Sequence, residues 1–363
     1  MSSRKTITII GAGPSGLCAA INLAKAGYGV TVYERNPDVG VRFHGDFQGI
    51  ENWSSTTDFM TQLEEMSIRP DFLCHPYSTG RFYRKGNHGG VVKADRPLFY
   101  LTLRGKEENS LDCSLRRQAE EAGIEIHFNR PGRSSEGEIV ATGPTRPNVL
   151  ASGVTFRTDS PDAVMAILND EIAPGGYAYL LVRKERGTLA SVYYRDFRKG
   201  ADFLDGSIRY FQKQFPFAME EARHFTGYGS FTPAVTAVHR GRLYVGEAAG
   251  FQDFLFGFGI RYALTSGYLA ARSIIEEIDY DTLWQETLGK RLATSLSNRY
   301  LYQTFGSLAH RLIIRQTTRG NPWRFMHRFY NSSLSRKLAA RPAARWFAGT
   351  KGGKTLSYKE KSG

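Results

Sequence analysis

The sequence predicts a mixed α/β fold of two interleaved domains followed by a helical C-terminal region. Three observations carry that prediction. Residues 6–34 read as strand, glycine-rich turn, helix and strand. Three Tyr- and Val-rich stretches between residues 153 and 197 read as antiparallel strands. An apolar strand and a long helix then return after residue 242, so a mostly parallel sheet must be assembled from distant segments.

The elements follow in order. TITII (6–10) is apolar and β-branched, a buried strand, and Leu17–Ala26 is a helix stopped by Gly27. YGVTVYE (28–34) is the second strand. Residues 36–54 are rich in glycine and aromatics without a period and read as loop; 56–66 reads as a short helix. RPLFYLTLRG (96–105) is a strand and LDCSLRRQAEEAG (111–123) a helix with Leu111, Leu115 and Ala119 on one face. IEIHF and EIVATGP are further strands. GVTFRT, YAYLLVRKE and LASVYYRDF form the antiparallel part. LYVGE (243–247) is a strand ending at Glu247, and 261–278 is a helix. Residues 283–346 look helical, with breaks at Asn321-Pro322 and Arg341-Pro342.

With 363 residues, 41% of them hydrophobic and 23% charged, the chain is long enough for a large core and too apolar for global disorder. No run approaches the ~18 apolar residues of a spanning helix, and the N-terminus lacks a signal-peptide pattern. Three cysteines without metal-ligand spacing point to a reducing, cytoplasmic setting and to no metal. The net charge of +13 sits almost entirely in residues 311–363, where 13 Lys/Arg face one acid, Glu360. Within it, NPWRFMHRFY (321–330) pairs Arg324 with Arg328 and Phe325 with Phe329 at i, i+4 spacing. Such a cationic, amphipathic segment suits an anionic membrane surface, hence peripheral association with the inner membrane face. No fold signal supports a nucleic-acid partner.

Gly11, Gly13 and Gly16 form G-x-G-x-x-G between strand and helix. Gly11 permits the tight turn, Gly13 lets backbone approach a pyrophosphate, and Gly16 lets the helix pack on the strand. The helix start, with Pro14 and Ser15, supplies free N–H groups for phosphate. Glu34 ends the second strand, where an acid takes ribose hydroxyls. A Rossmann-like dinucleotide site follows.

LYVGEAAGFQDFLFGFGI (243–260) holds four glycines and four phenylalanines, with the acid Glu247 where the apolar strand ends. Gly246-Glu247, then Ala248, Gly250, Gly257, Gly259 and Ile260, resemble the second flavin fingerprint of FAD-dependent reductases and hydroxylases, with Glu in place of the usual Asp. The resemblance implies FAD, with Glu247 on the ribitol and the glycines passing the flavin. The chain resembles the geranylgeranyl reductase family, within the p-hydroxybenzoate hydroxylase-like flavoproteins, over roughly residues 5–280. Pro174-Gly-Gly-Tyr177-Ala-Tyr179-Leu-Leu181-Val182 matches that family's substrate-cavity motif at Pro174 and Tyr177 and departs at Tyr179, Leu181 and Val182. Ala141-Thr142-Gly143 stands where the hydroxylases carry Asp-Gly. Arg35 and Arg42 occupy the region where the superfamily often places an arginine reaching FAD.

The resemblance implies an FAD-binding domain made of 1–55, 105–155 and 236–280, a substrate domain made of 56–104 and 156–235, and a helical basic region, 281–363. The cavity lining is then Trp53, Tyr179, Phe251, Phe254, Phe256 and Phe258, suited to an apolar or lipid substrate. Tyr177 and His44 are the candidate proton donors. The family's loop cysteine is absent between Gly40 and Ser54. With no second nucleotide motif, electrons come from transiently bound NAD(P)H or a separate redox protein. The expected reaction is reduction of a C=C bond in a prenyl or other lipid-like chain. The alternatives are a flavin monooxygenase or halogenase and a non-redox cyclase.

Overall fold

The computed structural model describes residues 5–144, 148–231 and 233–350, with the side chains of 335 and 347–350 left aside. β1 (Thr6–Ile10), α1 (Pro14–Lys25) and β2 (Gly29–Tyr33) form the N-terminal unit, with β1 and β2 parallel from Thr6↔Gly29 to Ile10↔Tyr33. Pro14 opens α1, where its missing N–H costs nothing. Gly27, at φ +92°, ends the helix in a conformation that a side chain would resist.

β3 (Phe47–Glu51) lies in the segment expected to be loop. It is short, has Gly49 at its centre, and owes its conformation to a distant partner. α2 (Phe59–Glu65) starts at Asp58, whose side chain accepts the Met60 N–H. β4 (Cys74–Tyr77), β5 (Thr79–Arg84), β6 (His88–Lys93) and β7 (Phe99–Leu103) follow. β3 and β4 flank β7, both antiparallel, in a three-stranded sheet. α3 (Leu111–Glu121) is capped by Ser110 and leads to β8 (Glu125–His127) and β9 (Ile139–Val140).

β10 (Val149–Arg157), β11 (Ala163–Leu168), β12 (Tyr177–Arg183) and β13 (Arg186–Tyr193) build the antiparallel region; α4 (Gly200–Gln214) covers it and β14 (Glu220–Gly229) closes one edge. The resulting seven-stranded sheet runs β14-β10-β13-β12-β11-β5-β6. The chain returns through β15 (Val238–His239) and β16 (Arg242–Tyr244) to a six-stranded sheet, β15-β16-β9-β1-β2-β8, parallel except at β15. α5 (Ile260–Glu276) packs on α1 so closely that a Cβ on Gly267 would lie 2.1 Å from the Ser15 carbonyl oxygen.

α6 (Tyr280–Trp284), α7 (Lys290–Phe305), α8 (Ser307–Arg319), α9 (Pro322–Tyr330) and α10 (Ser333–Thr350) complete the chain. The expected break at Pro322 is present, where Pro322 opens α9. The one at Pro342 is not: Pro342 sits inside α10, which forgoes one backbone bond there. The sharper interruption is Gly306, at φ +46°. Nor is 321–330 a free amphipathic tail. Trp323, Met326 and Tyr330 are buried, Arg324 pairs with Asp95, and the Trp323 indole donates to the Asn52 carbonyl at 2.7 Å. The last basic residues, from Lys351, lie outside the described residues. Among the described residues, no helix is long and apolar enough to cross a membrane.

Candidate active site

The three glycines of the first turn are glycine for different reasons. A Cβ on Gly11 (φ +108°) would lie 2.4 Å from the Ala141 carbonyl oxygen, and one on Gly16 would lie 2.0 Å from the Gly11 oxygen. Those positions are closed by the protein's own backbone. A Cβ on Gly13 would meet nothing within 4 Å, so the folded chain leaves open space there. Gly13 also stands at the N-terminus of α1, where main-chain N–H groups lack helical partners.

Glu34 does more than end β2. One carboxylate oxygen accepts the Ala12 N–H at 2.9 Å, and the other accepts the Asn36 N–H and side-chain amide at 3.0 and 2.7 Å. The acid thereby ties the glycine turn to the segment after β2. Arg35 is exposed.

Glu247 is not at a strand end. It sits in a 3-10 turn, Gly246–Ala249, beyond β16. This turn meets the first motif: a Cβ on Gly246 (φ +59°) would approach the Ser15 hydroxyl to 2.7 Å. Arg42 donates to Glu247 at 3.0 Å and to the Tyr228 carbonyl, and its guanidinium lies 4.4 Å from the Tyr228 ring centroid. The Arg42 loop is held in turn by Arg104, which stacks on Phe43 at 3.8 Å and pairs with buried Asp112 at 2.8 Å. Gly143, Gly250 and Gly257 have φ of +76°, +79° and +80°, and Gly259 caps α5 just before Ile260. At the centre of this loop lies Gln252. Its amide donates to the Gly257 carbonyl at 3.2 Å, while its buried oxygen has no partner in the protein.

The predicted aromatic wall divides. Phe251 packs on Trp284 and Phe254 on Phe231, both fully inside the main core. They are core, not cavity lining, because the turn after Gly250 sends them towards α6 and the strands. Trp53, Phe256 and Phe258 do assemble, in a second cluster with Tyr177 at its edge. Trp53 meets Phe258 edge-on at 5.0 Å, and Phe256 meets Tyr177 edge-on at 5.7 Å. Tyr179 adjoins Tyr177 at 6.0 Å. Backbone of β3 closes on this group, for a Cβ on Gly49 would lie 2.8 Å from the Phe258 ring.

The two candidate proton donors differ. The Tyr177 hydroxyl donates to the Phe256 carbonyl at 2.8 Å, and burial pushes its acidity well below that of a free phenol. Its proton is engaged and tightly held. His44 is exposed and stacks on Phe225 at 5.8 Å, while its main-chain N–H donates to the Asp46 carboxylate.

Two buried charges escaped the sequence. Asp253 accepts from Ser295, from Tyr330 and from the Leu255 and Phe256 N–H groups; burial raises its pKa against those four donors. Arg299 lies over the Tyr194 ring at 3.3 Å and donates to the Gly175 carbonyl, its pKa lowered by burial. Together they fasten α7 and α9 to the turn that carries Phe256. Nothing local marks either residue, since their partners lie far away in the chain. Among the described residues, no group of His, Cys, Asp and Glu forms a metal site.

The N-terminal unit, residues 9–48, matches the NAD(P)-binding Rossmann-like domain model. A digeranylgeranylglycerophospholipid reductase from Methanosphaerula palustris is 26% identical over 338 residues, covering 80% of this chain and 84% of that protein. Among solved structures, a geranylgeranyl bacteriochlorophyll reductase-like protein from Thermoplasma acidophilum superposes with a TM-score of 0.58 at 18% identity, covering 93% of this chain and 91% of the other. The chain is thus similar in sequence to geranylgeranyl-lipid reductases and shares the fold of a geranylgeranyl reductase-like protein. The flavin-dependent halogenase CmlS, at a TM-score of 0.57 and 18% identity over 97% of this chain and 78% of its own, shares the fold. The residues of this chain fit FAD. The open side of Gly13, the open Cβ position of Gly143, and the unpartnered buried atoms of Gln252 and Arg42 leave both space and polar capacity for a ligand.

Proposed function

We propose that the chain reduces a C=C bond of a long apolar, prenyl or similar lipid-like substrate. Bound FAD, once reduced, supplies the hydride. The helix start at Gly13–Gly16 takes the pyrophosphate, Glu34 the adenosine ribose and Glu247 the ribitol, with Arg42 orienting Glu247. Gly143, Ala248, Gly250, Gly257 and Gly259 let backbone approach the flavin. Trp53, Phe256, Phe258, Tyr177 and Tyr179 exclude water and seat the apolar chain.

One observation carries the reading. The loop that bears Gly257 and Gly259 also bears Phe256 and Phe258, which join Trp53 and Tyr177 in one aromatic cluster. The flavin-type loop and an apolar wall are thus the same segment. A hydride acceptor without polar groups needs such a wall, because orientation must come from shape. The substrate is drawn from a membrane surface, which a peripheral protein reaches from the aqueous side. Reducing equivalents come from NAD(P)H or a redox protein.

Anaerobic photoreduction of the FAD-loaded protein, followed by addition of detergent-dispersed lipids, tests this. Unsaturated prenyl lipids should reoxidise the flavin and emerge with two more hydrogens by mass. Reoxidation only by oxygen, with oxygen or halogen appearing in the product, would replace the reductase reading by the monooxygenase or halogenase one.

A further inference from the structure

α8 turns two faces in opposite directions. Its inner face buries His310, Ile313, Ile314 and Thr317, and the two isoleucines belong to the same apolar cluster as Trp53 and Phe256. Its outer face carries Leu308, Arg311, Leu312, Arg315 and Arg319, all exposed. Their spacing, i, i+3, i+4, i+7 and i+11, puts them on one stripe. Leu308 is 64% exposed and Leu312 53%, with Phe305, at the end of α7, 54% exposed beside them in sequence. A lone exposed leucine is ordinary. Two of them one turn apart, framed by three arginines, form an amphipathic cationic face. No acidic residue occurs in the sequence between Glu286 and Glu360.

We propose that the outer face of α8 docks the protein on an anionic phospholipid bilayer. Leu308 and Leu312 enter the acyl boundary while Arg311, Arg315 and Arg319 meet headgroup phosphates. A 13-residue helix is too short to span and lies in the plane of the surface. A helix with side chains is about 10–12 Å across, so its buried face holds the aromatic cluster one helix diameter from the lipid. The docking serves the lipid substrate proposed above and rests on that reading for its purpose, not for its geometry. Charge selects the occupant. A symmetric contact between two copies would set arginine against arginine. α10 also exposes Leu334 and Leu338, but it packs on α7, and among its described residues none enters the aromatic cluster.

The test uses the full-length, FAD-loaded protein and sedimenting vesicles of phosphatidylcholine, with or without phosphatidylglycerol. Binding should require phosphatidylglycerol and weaken with salt. Leu308→Asp with Leu312→Asp should lower it about tenfold or more, and Arg311→Gln with Arg315→Gln should lower it and flatten the salt dependence. Leu334→Asp with Leu338→Asp should leave it unchanged. Flavin content and melting temperature, unaltered in each variant, exclude misfolding. Parent-like binding by the α8 leucine variant overturns the proposal, as does loss confined to the α10 variant. So does a dimer that the α8 variant converts to monomer, which would assign the face to a second copy. Reoxidation by detergent-dispersed lipid reads the proposed reaction separately. Vesicle binding without such reoxidation would leave the docking face standing and remove the lipid-reductase function.

Discussion

Arg42 reaches across 205 positions of sequence to hold Glu247, guanidinium to carboxylate at 3.0 Å. The pair joins the loop after β2 to the turn after β16, the two segments proposed to enclose the flavin. Its side chains keep 31% and 20% of their exposure, so the pair adds at most about 1 kcal/mol to folding stability. Its value lies in orientation. Glu247→Gln should therefore lower FAD affinity roughly 10- to 100-fold, the worth of a hydrogen bond to a charged group. The melting temperature of the apoprotein should barely move. Flavin-fluorescence titration checks the first and thermal melting the second; an unchanged dissociation constant would return Glu247 to a purely structural ion pair.

The contrast between Gly13 and Gly16 predicts two different failures. Gly13→Val should fold and lose FAD, since the new side chain enters open space at the proposed pyrophosphate site. Gly16→Ala should instead lose stability by about 1–3 kcal/mol, because its Cβ collides with backbone at 2.0 Å. Stoichiometric FAD retained by a folded Gly13→Val protein would refute the cradle.

Tyr177→Phe keeps volume and removes the hydroxyl that donates to the Phe256 carbonyl. The stranded carbonyl should cost about 1–3 kcal/mol of stability. Because that proton is already engaged, lipid-dependent reoxidation should slow by less than the ~100-fold minimum typical of a lost general acid. A larger drop at unchanged stability would restore Tyr177 as the proton donor. Tyr179→Ala, which only reshapes the cluster, should alter substrate preference and leave flavin binding intact.

His310 predicts an acid-side loss of stability. It is buried on α8 against Tyr302 at 4.9 Å, and its Nε2 has no partner. Burial lowers its pKa below 6.5; Asp170 opposes and Arg84 assists. The unfolded chain therefore binds a proton that the folded one resists. The stabilisation is complete above pH 6.5 and is lost as pH falls towards the depressed folded value. Melting temperature should drop between neutral and mildly acidic pH, and His310→Leu should flatten that part of the profile.

What the sequence determined by itself was local. The β-α-β unit over residues 6–34, the helix stop at Gly27 and the spacing of Gly11, Gly13 and Gly16 follow from periodicity and from backbone chemistry within a few residues. The fold class was legible from the order of such elements along the chain, whereas the flavin-type reading of 246–260 rested on a resemblance. What lay beyond reach was decided by contacts between distant segments. β3 exists because β7 pairs with it. Phe251 and Phe254 read like Phe256 and Phe258, yet the first pair falls in the main core and the second in the cluster with Trp53. The amphipathic segment at 321–330 is spent on packing, with Trp323 and Tyr330 buried, while exposed leucines fall on α8 and α10. Asp253 and Arg299 acquire meaning only from helices that fold back on them. A loop has no period to reveal its inside, and a helix shows which of its faces is free only once its neighbours are in place.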